Sequence, residues 1–186
     1  MRVALYGGSF NPPHVAHQLA ALYVLETHDV DELWLVPCFK HPFEKALESF
    51  EDRLEMCTRA AAALGPRARV DDCERRLGGE SRTLRTVSVL EAEHPGTEFA
   101  LIVGADLLRE LPSWHGAEEL QRLVRFIVVG RSGFEGGVGP AMPAISSSEV
   151  RERLRTGDSV EALLPRSVLD YVRERKLYGS AESPSK

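Results

Sequence analysis

No apolar run in this 186-residue chain is long enough to span a bilayer. The opening stretch Met1-Arg2-Val3-Ala4-Leu5-Tyr6 is too short for a signal h-region and has no cleavage site after it. Both absences point to the cytoplasm and away from a membrane. Cysteine is scarce: Cys38, Cys57 and Cys73 form no C-x-x-C pair and cannot all pair with one another. That excludes a disulfide framework and fits a reducing compartment, so each reads as a core or half-buried thiol. An excess of positive charge is also missing. Lys and Arg total 23 against 28 Asp and Glu, a formal net charge of -5, so the surface as a whole does not attract nucleic acid. A small anionic ligand needs locally placed cations instead. No internal repeat or low-complexity segment is visible.

What remains is an ordinary globular mixture, 43% hydrophobic and 27% charged. The length suits one domain, expected over 1–179 with a frayed tail over 180–186, and buries a core without a structural metal. Short apolar runs at 2–6, 32–36, 99–103 and 124–129 predict buried strands, and 68–71 a shorter one. Helical spacing predicts helices over 14–27, 50–64, 84–93, 106–111, 117–123, 148–155 and 165–175. The stretch 132–144, with four glycines and two prolines, reads as a flexible loop. Strands alternating with helices predict an α/β fold with a parallel sheet. In such sheets ligands sit beyond the carboxyl ends of the strands. Gly7-Gly8, Gly104-Ala105-Asp106 and the loop after Val129 should converge there.

The sharpest signal is Gly7-Gly8-Ser9-Phe10-Asn11-Pro12-Pro13-His14-Val15-Ala16-His17. Glycines at the end of a strand let the backbone turn and approach a ligand. The free N–H groups of the next helix favour a phosphate. His14 and His17 share one helical face and can meet the same phosphate chain. A bare H-x-x-H is more often a pair of capping or core histidines, and it makes a poor zinc site without a third ligand nearby. The segment is neither a Walker A loop nor a G-x-G-x-x-G fingerprint. The second signal is Ile145-Ser146-Ser147-Ser148-Glu149-Val150-Arg151. Ser146 and Glu149 have capping-box spacing. Three hydroxyls and an arginine one turn later exceed what a cap needs and suit the β- and γ-phosphates of a nucleotide.

Together these segments resemble the nucleotidyltransferase superfamily marked by (H/T)-x-G-H and I-S-S-T-x-x-R motifs. Gly104-Ala105-Asp106-Leu107, Leu111-Pro112-Ser113-Trp114-His115 and Glu118-Glu119-Leu120 are similar to the G-A-D…L-P-x-W-x…E-E-L stretch of the bacterial nicotinate mononucleotide adenylyltransferases. The stretch from Leu164-Pro165 to Leu177-Tyr178 is similar to that family's ending. The resemblance implies a Rossmann-like open parallel sheet with helices on both faces. It also implies a reaction of ATP with nicotinate mononucleotide that gives deamido-NAD and pyrophosphate, with Mg2+ held mainly by phosphates and water.

On that resemblance His14 and His17 match the catalytic histidines. Gly7, Gly8, Ser9, Phe10, Gly104 and Asp106 fall on the ATP side, and Ser146, Ser147 and Arg151 match the triphosphate grip. Trp114 matches a tryptophan stacked on the nicotinate ring, and Thr83 and Thr86 match a T-x-x-T motif near it. A core aromatic and a helix N-cap at Thr83 are the plainer readings of the last two. Lys40 and Lys45 both stand where the family's acceptor lysine falls. Ala16 replaces the usual glycine, which would put its methyl where the nucleotide packs. Arg85 replaces an aspartate. An acceptor such as nicotinamide mononucleotide or phosphopantetheine, or a nucleotide sensor without turnover, are the rival readings.

Overall fold

The structure is a computed structural model that describes residues 1–41 and 47–180. Lys45 and the expected tail beyond residue 180 lie outside the described residues. Six strands form one sheet: β1 (Arg2–Gly8), β2 (Glu32–Pro37), β3 (Ala68–Val70), β4 (Glu98–Gly104), β5 (Arg125–Arg131) and β6 (Val138–Met142). All pairs are parallel, in the order β3-β2-β1-β4-β5-β6. The strand order reverses between β1 and β4, so a crevice opens beyond their carboxyl ends.

The helices are α1 (Val15–Thr27), α2 (Phe50–Ala62), α3 (Cys73–Leu77), α4 (Thr83–Glu93), α5 (Ala117–Leu123), α6 (Ser147–Thr156) and α7 (Arg166–Glu174). Alternate strand residues feed opposite layers. Ala4, Leu33, Leu35, Ala100, Ile102 and Ile127 pack with Ala20, Ala21 and Val24 of α1. Val3, Leu5, Trp34, Phe99, Leu101 and Val103 pack with Val87 and Leu90 of α4 and Leu120 of α5. Both faces are therefore covered, which is why the central strands read as continuous apolar runs. A third cluster joins Met56 and Ala60 of α2 to Val150 of α6 and Val168 and Val172 of α7. It anchors the C-terminal helices beside the sheet.

Three expectations change. Residues 132–144 are not simply a loop, because β6 lies within them and pairs with β5 through Val129↔Val138 and Arg131↔Met142. β6 is an edge strand whose only buried residue is Met142, so it has no apolar alternation to read. The expected helix over 106–111 is two 3-10 turns, Ala105–Leu107 and Leu111–Ser113, with Pro112 seated in the second. α3 is additional; its five residues are too few to show a helical period.

Candidate active site

β1 runs through both glycines instead of stopping before them. Gly8 has no Cβ because one would press on the Phe10 ring at 3.2 Å, whereas Gly7 faces open space. Phe10 is in the left-handed region at φ 44°, a costly conformation for a bulky side chain. Burial of its ring holds it there, with edge contacts to Tyr6 and His17 at centroid distances of 5.7 and 5.1 Å. Asn11 to Pro13 then turn the chain into α1.

His14 is the N-cap of α1, and His17 lies in the first turn. The backbone N–H of His14 donates to His17 Nδ1 at 3.0 Å. A neutral imidazole that accepts at Nδ1 carries its proton on Nε2, so His17 presents an Nε2–H donor. The two rings stack, with centroids 3.7 Å apart and planes 27° apart. Burial lowers the His14 pKa to about 4, assisted by the Arg131 charge. Burial also drives His17 well below its ordinary value, with His14 and Arg131 adding to the shift. Both rings are neutral near pH 7. His14 Nδ1 is buried and has no partner among the described residues. Stacked and neutral, with His14 buried and His17 half-buried, this pair has unspent hydrogen-bonding capacity.

The second wall comes from β4 and β5. Asp106 follows β4, and its Oδ2 pairs with Arg131 Nη1 at 3.0 Å. Its Oδ1 is buried without a partner among the described residues. A Cβ on Gly104 would collide with that Oδ1, so the glycine lets the carboxylate fold back against the strand end. Arg131 also donates to the Ile145 carbonyl at 3.3 Å, linking β5 to the C-terminal motif. The Tyr6 phenol lies between these groups, and burial pushes it well above its ordinary pKa.

The C-terminal motif docks on the glycine turn. Ser146 caps α6 by accepting the Glu149 N–H at 3.1 Å. Ser147 Oγ donates to the Pro12 carbonyl at 2.9 Å. Arg151 Nη1 donates to the Asn11 carbonyl at 2.8 Å, and its Nη2 to Ser148 Oγ at 3.2 Å. Asn11 Oδ1 accepts from Tyr178 Oη at 2.8 Å. The start of α6, with its free N–H groups, therefore faces the same crevice as the start of α1.

The residues expected on the acceptor side are more scattered. Lys40 is exposed in the segment after β2, and its carbonyl accepts the Ser81 N–H at 2.9 Å. Thr86 is buried and donates to Glu74 Oε1 at 3.0 Å. Thr83 is not the N-cap, since that position belongs to Arg82 and Thr83 begins α4. Trp114 is half-buried against the α4–α5 cluster, so part of its ring serves the core. Arg85 donates to the Leu77 and Gly78 carbonyls, both at 2.8 Å, and holds the end of α3. A cleft of about 640 Å3 opens beside Phe39, Lys40, Glu48 and Phe50. Among the described residues no group of three or more His, Cys, Asp or Glu is placed to hold a metal ion. No helix among them is long and apolar enough to cross a membrane.

The cytidylyltransferase-like family model matches residues 5–153. An Anaeromyxobacter dehalogenans protein named "Probable nicotinate-nucleotide adenylyltransferase" is 51% identical over 180 residues, covering 95% of this chain and 96% of the relative. A Myxococcus xanthus protein of the same name is 40% identical, covering 99% and 98%. The chain belongs to the nicotinate-nucleotide adenylyltransferase family. The fold agrees: Plasmodium falciparum nicotinic acid mononucleotide adenylyltransferase, complexed with NaAD, superposes with a TM-score of 0.82 over 97% of this chain and 98% of that one, at 22% identity.

In this nicotinate-nucleotide adenylyltransferase the Ala16 side chain is part of the packed interior. Ala16 is 7% exposed and packs in the α2–α6–α7 cluster, so its methyl fills the core. Sequence reasoning missed Arg131, Tyr6, Arg53 and Glu74. A signal for Arg53 was present: it interrupts the buried stripe of Phe50, Met56, Cys57 and Ala60 on α2. A charge on a core face calls for a dedicated set of partners.

Proposed function

We propose that this nicotinate-nucleotide adenylyltransferase moves the AMP group of ATP onto the phosphate of nicotinate mononucleotide. A phosphate oxygen of the acceptor attacks the α-phosphorus in line, the bond from that phosphorus to the α,β-bridging oxygen breaks, and deamido-NAD and pyrophosphate form. The observation that carries this reading is the stacked pair of neutral histidines, one buried and one half-buried, at the reversal point of the sheet.

Negative charge grows on the triphosphate oxygens as the α-phosphorus is attacked. His17 Nε2–H, held in one orientation by the His14 backbone, and the His14 ring are assigned to meet that charge. Their donors are fixed before the reaction and cost little reorganisation. Ser146, Ser147 and Arg151 are assigned to the β- and γ-phosphates, and the Gly7-Gly8-Ser9-Phe10 turn to close backbone approach. Gly104 and Asp106 take the adenosine side, where the free Oδ1 can accept a ribose hydroxyl. Lys40, Thr83, Thr86 and Trp114 are assigned to the acceptor. The residues present fit a magnesium ion held through ATP phosphates and water, because its hard-oxygen preference is met without a protein cage. When bound it neutralises the departing pyrophosphate.

ATP-dependent pyrophosphate release, measured with nicotinate mononucleotide and then with nicotinamide mononucleotide and phosphopantetheine, tests the reading. Turnover with nicotinate mononucleotide well above the other two is expected. Turnover only with phosphopantetheine, or with none of the three, would overturn it.

A further inference from the structure

Arg53 is 1% exposed, yet no carboxylate pairs with it among the described residues. Its guanidinium instead donates to four backbone carbonyls. Nη1 reaches Ser9 at 3.0 Å and Cys38 at 2.7 Å, Nη2 reaches Phe39 at 3.3 Å, and Nε reaches Glu48 at 3.1 Å. Ser9 belongs to the glycine turn on the ATP side. Cys38 and Phe39 belong to the segment after β2 that carries Lys40. One planar fork thus fastens the two together, a task a lysine ammonium cannot perform from a single nitrogen.

Glu74 holds the same segment from the other side. Its Oε2 accepts the Phe39 N–H at 3.0 Å and the Ser81 hydroxyl, and its Oε1 accepts the Thr86 hydroxyl at 3.0 Å. The Phe39 N–H also reaches Ser81 Oγ at 2.9 Å. Both carboxylate oxygens act as acceptors, and an amide would keep only one of them and reverse the other contact. The Phe39 residue is therefore gripped by a buried cation at its carbonyl and a buried anion at its N–H. Cys38 N–H to the Gly8 carbonyl at 2.9 Å and Ser81 N–H to the Lys40 carbonyl at 2.9 Å complete the fastening.

We infer that Arg53 and Glu74 are positioning residues that register the acceptor-side groups Lys40, Thr83 and Thr86 against the ATP-side turn, through the Phe39 backbone. This rests on the adenylyl-transfer reading above. Both side chains are engaged with protein atoms, the Arg53 fork with carbonyls and the Glu74 carboxylate with an N–H and two hydroxyls. Together they form a continuous path from Ser9 through Arg53, Phe39 and Glu74 to Thr86, and that path fixes the separation across which the acceptor phosphate must approach. Misplacing a reacting group by about 1 Å costs on the order of a hundredfold, so a buried pair that sets this spacing has a kinetic role beyond stability.

The test uses the full chain with Arg53→Lys, Glu74→Gln and, as a control, Asp52→Asn. Asp52 ties α2 to its N-cap Ser49 and to Tyr171 and Arg175 of the α7 region, and among the described residues its carboxylate bonds to no partner of the Arg53 guanidinium or of Glu74. In nucleotide-free protein, exchange of the Phe39 amide should speed up about tenfold or more in both strap variants and not in the control. In steady state, KM for nicotinate mononucleotide should rise about tenfold in both while KM for ATP stays within about threefold. If Arg53→Lys does not fold, Glu74→Gln and Ser81→Ala carry the same readouts. Unchanged Phe39 exchange, KM values that rise together, or the same split in Asp52→Asn would each overturn the inference. Absence of turnover in the wild type would instead sink the adenylyl-transfer reading and leave the strap to be judged by exchange alone.

Discussion

His17 accepts the backbone N–H of His14 at its Nδ1, 3.0 Å away, so the helix start itself sets which ring nitrogen of His17 is the donor. The side chain is thereby oriented without a carboxylate, and no neighbouring anion raises its basicity. His17 should act by hydrogen bonding in its neutral form. His17→Ala should lower kcat about a hundredfold and change the ATP dissociation constant by no more than about threefold. Single-turnover kinetics beside calorimetry would show the split. A rate within a few-fold of wild type would remove His17 from the chemistry.

The histidine pair also makes stability depend on pH. The folded-state pKa of His14, about 4, lies below its ordinary value of 6.5, so the unfolded chain binds more protons between those limits. Stability is complete above about pH 6.5 and falls as the pH drops toward 4, by an amount on the order of 3 kcal/mol from this residue alone. His17 shifts in the same direction. Urea unfolding at intervals between those pH values should show this slope, and His14→Asn should flatten it. A slope unchanged by His14→Asn would mean that the ring is already charged in the folded protein.

Arg151→Ala should weaken ATP and pyrophosphate about tenfold and leave free adenosine unaffected. Its contact with the Asn11 carbonyl ties the guanidinium to the turn, so the same side chain is a candidate both for holding that turn and for the proposed phosphate contact. Calorimetry with the three ligands separates these. Equal weakening of all three would show that the arginine serves only to hold the turn.

Gly104→Ala is a test of the adenosine side. The new methyl collides with Asp106 Oδ1 and should displace the carboxylate from Arg131, now 3.0 Å away. KM for ATP should rise about tenfold with little change in Tm, since the loss falls on a polar contact and not on the core. An unchanged KM would exclude Asp106 from nucleotide binding.

Nicotinate mononucleotide should exceed nicotinamide mononucleotide in kcat/KM by about tenfold or more. A site with donors matched to a carboxylate leaves them unmatched against an amide. The Ser81 N–H and hydroxyl are engaged with the Lys40 carbonyl and Glu74, and Arg82 pairs with Glu80, so such donors are assigned to the backbone N–H groups at the turn into α4. Steady-state kinetics with both acceptors at saturating ATP decides; equal efficiencies would remove that turn from selectivity.

The centre of the sheet was legible in the sequence because β1, β2, β4 and β5 are buried on both faces and their apolar runs are local. The two phosphate-facing motifs were legible for the same reason: each is contiguous. β6 was not, since exposed Val138 and Gly139 at a sheet edge carry no burial pattern. The roles of Arg53 and Glu74 were not: the charge of Arg53 on a core face was visible, but its partners are main-chain atoms up to 44 residues distant with no signature of their own, and those of Glu74 are the Phe39 N–H and two hydroxyls brought together only by the fold. Lys40 was found by resemblance, yet what fixes its position is the peptide beside it.

Asn11 has one further implication, for synthesis. Its Oδ1 is held by Tyr178, 167 residues away, and its carbonyl by Arg151, 140 residues away. The turn that begins the nucleotide site is therefore only half fastened, by the Glu48 N–H on Asn11 Oδ1 and by Arg53 on the Ser9 carbonyl, while most of the polypeptide emerges from the ribosome, and its fastening is complete only after Tyr178 has cleared the exit tunnel. A nascent chain halted before α6 has its central strands, both histidines and the Glu48 and Arg53 contacts to the turn, but not the Arg151 and Tyr178 half of the clasp. Newly made molecules should gain affinity for ATP late and in one step, as the last helices dock.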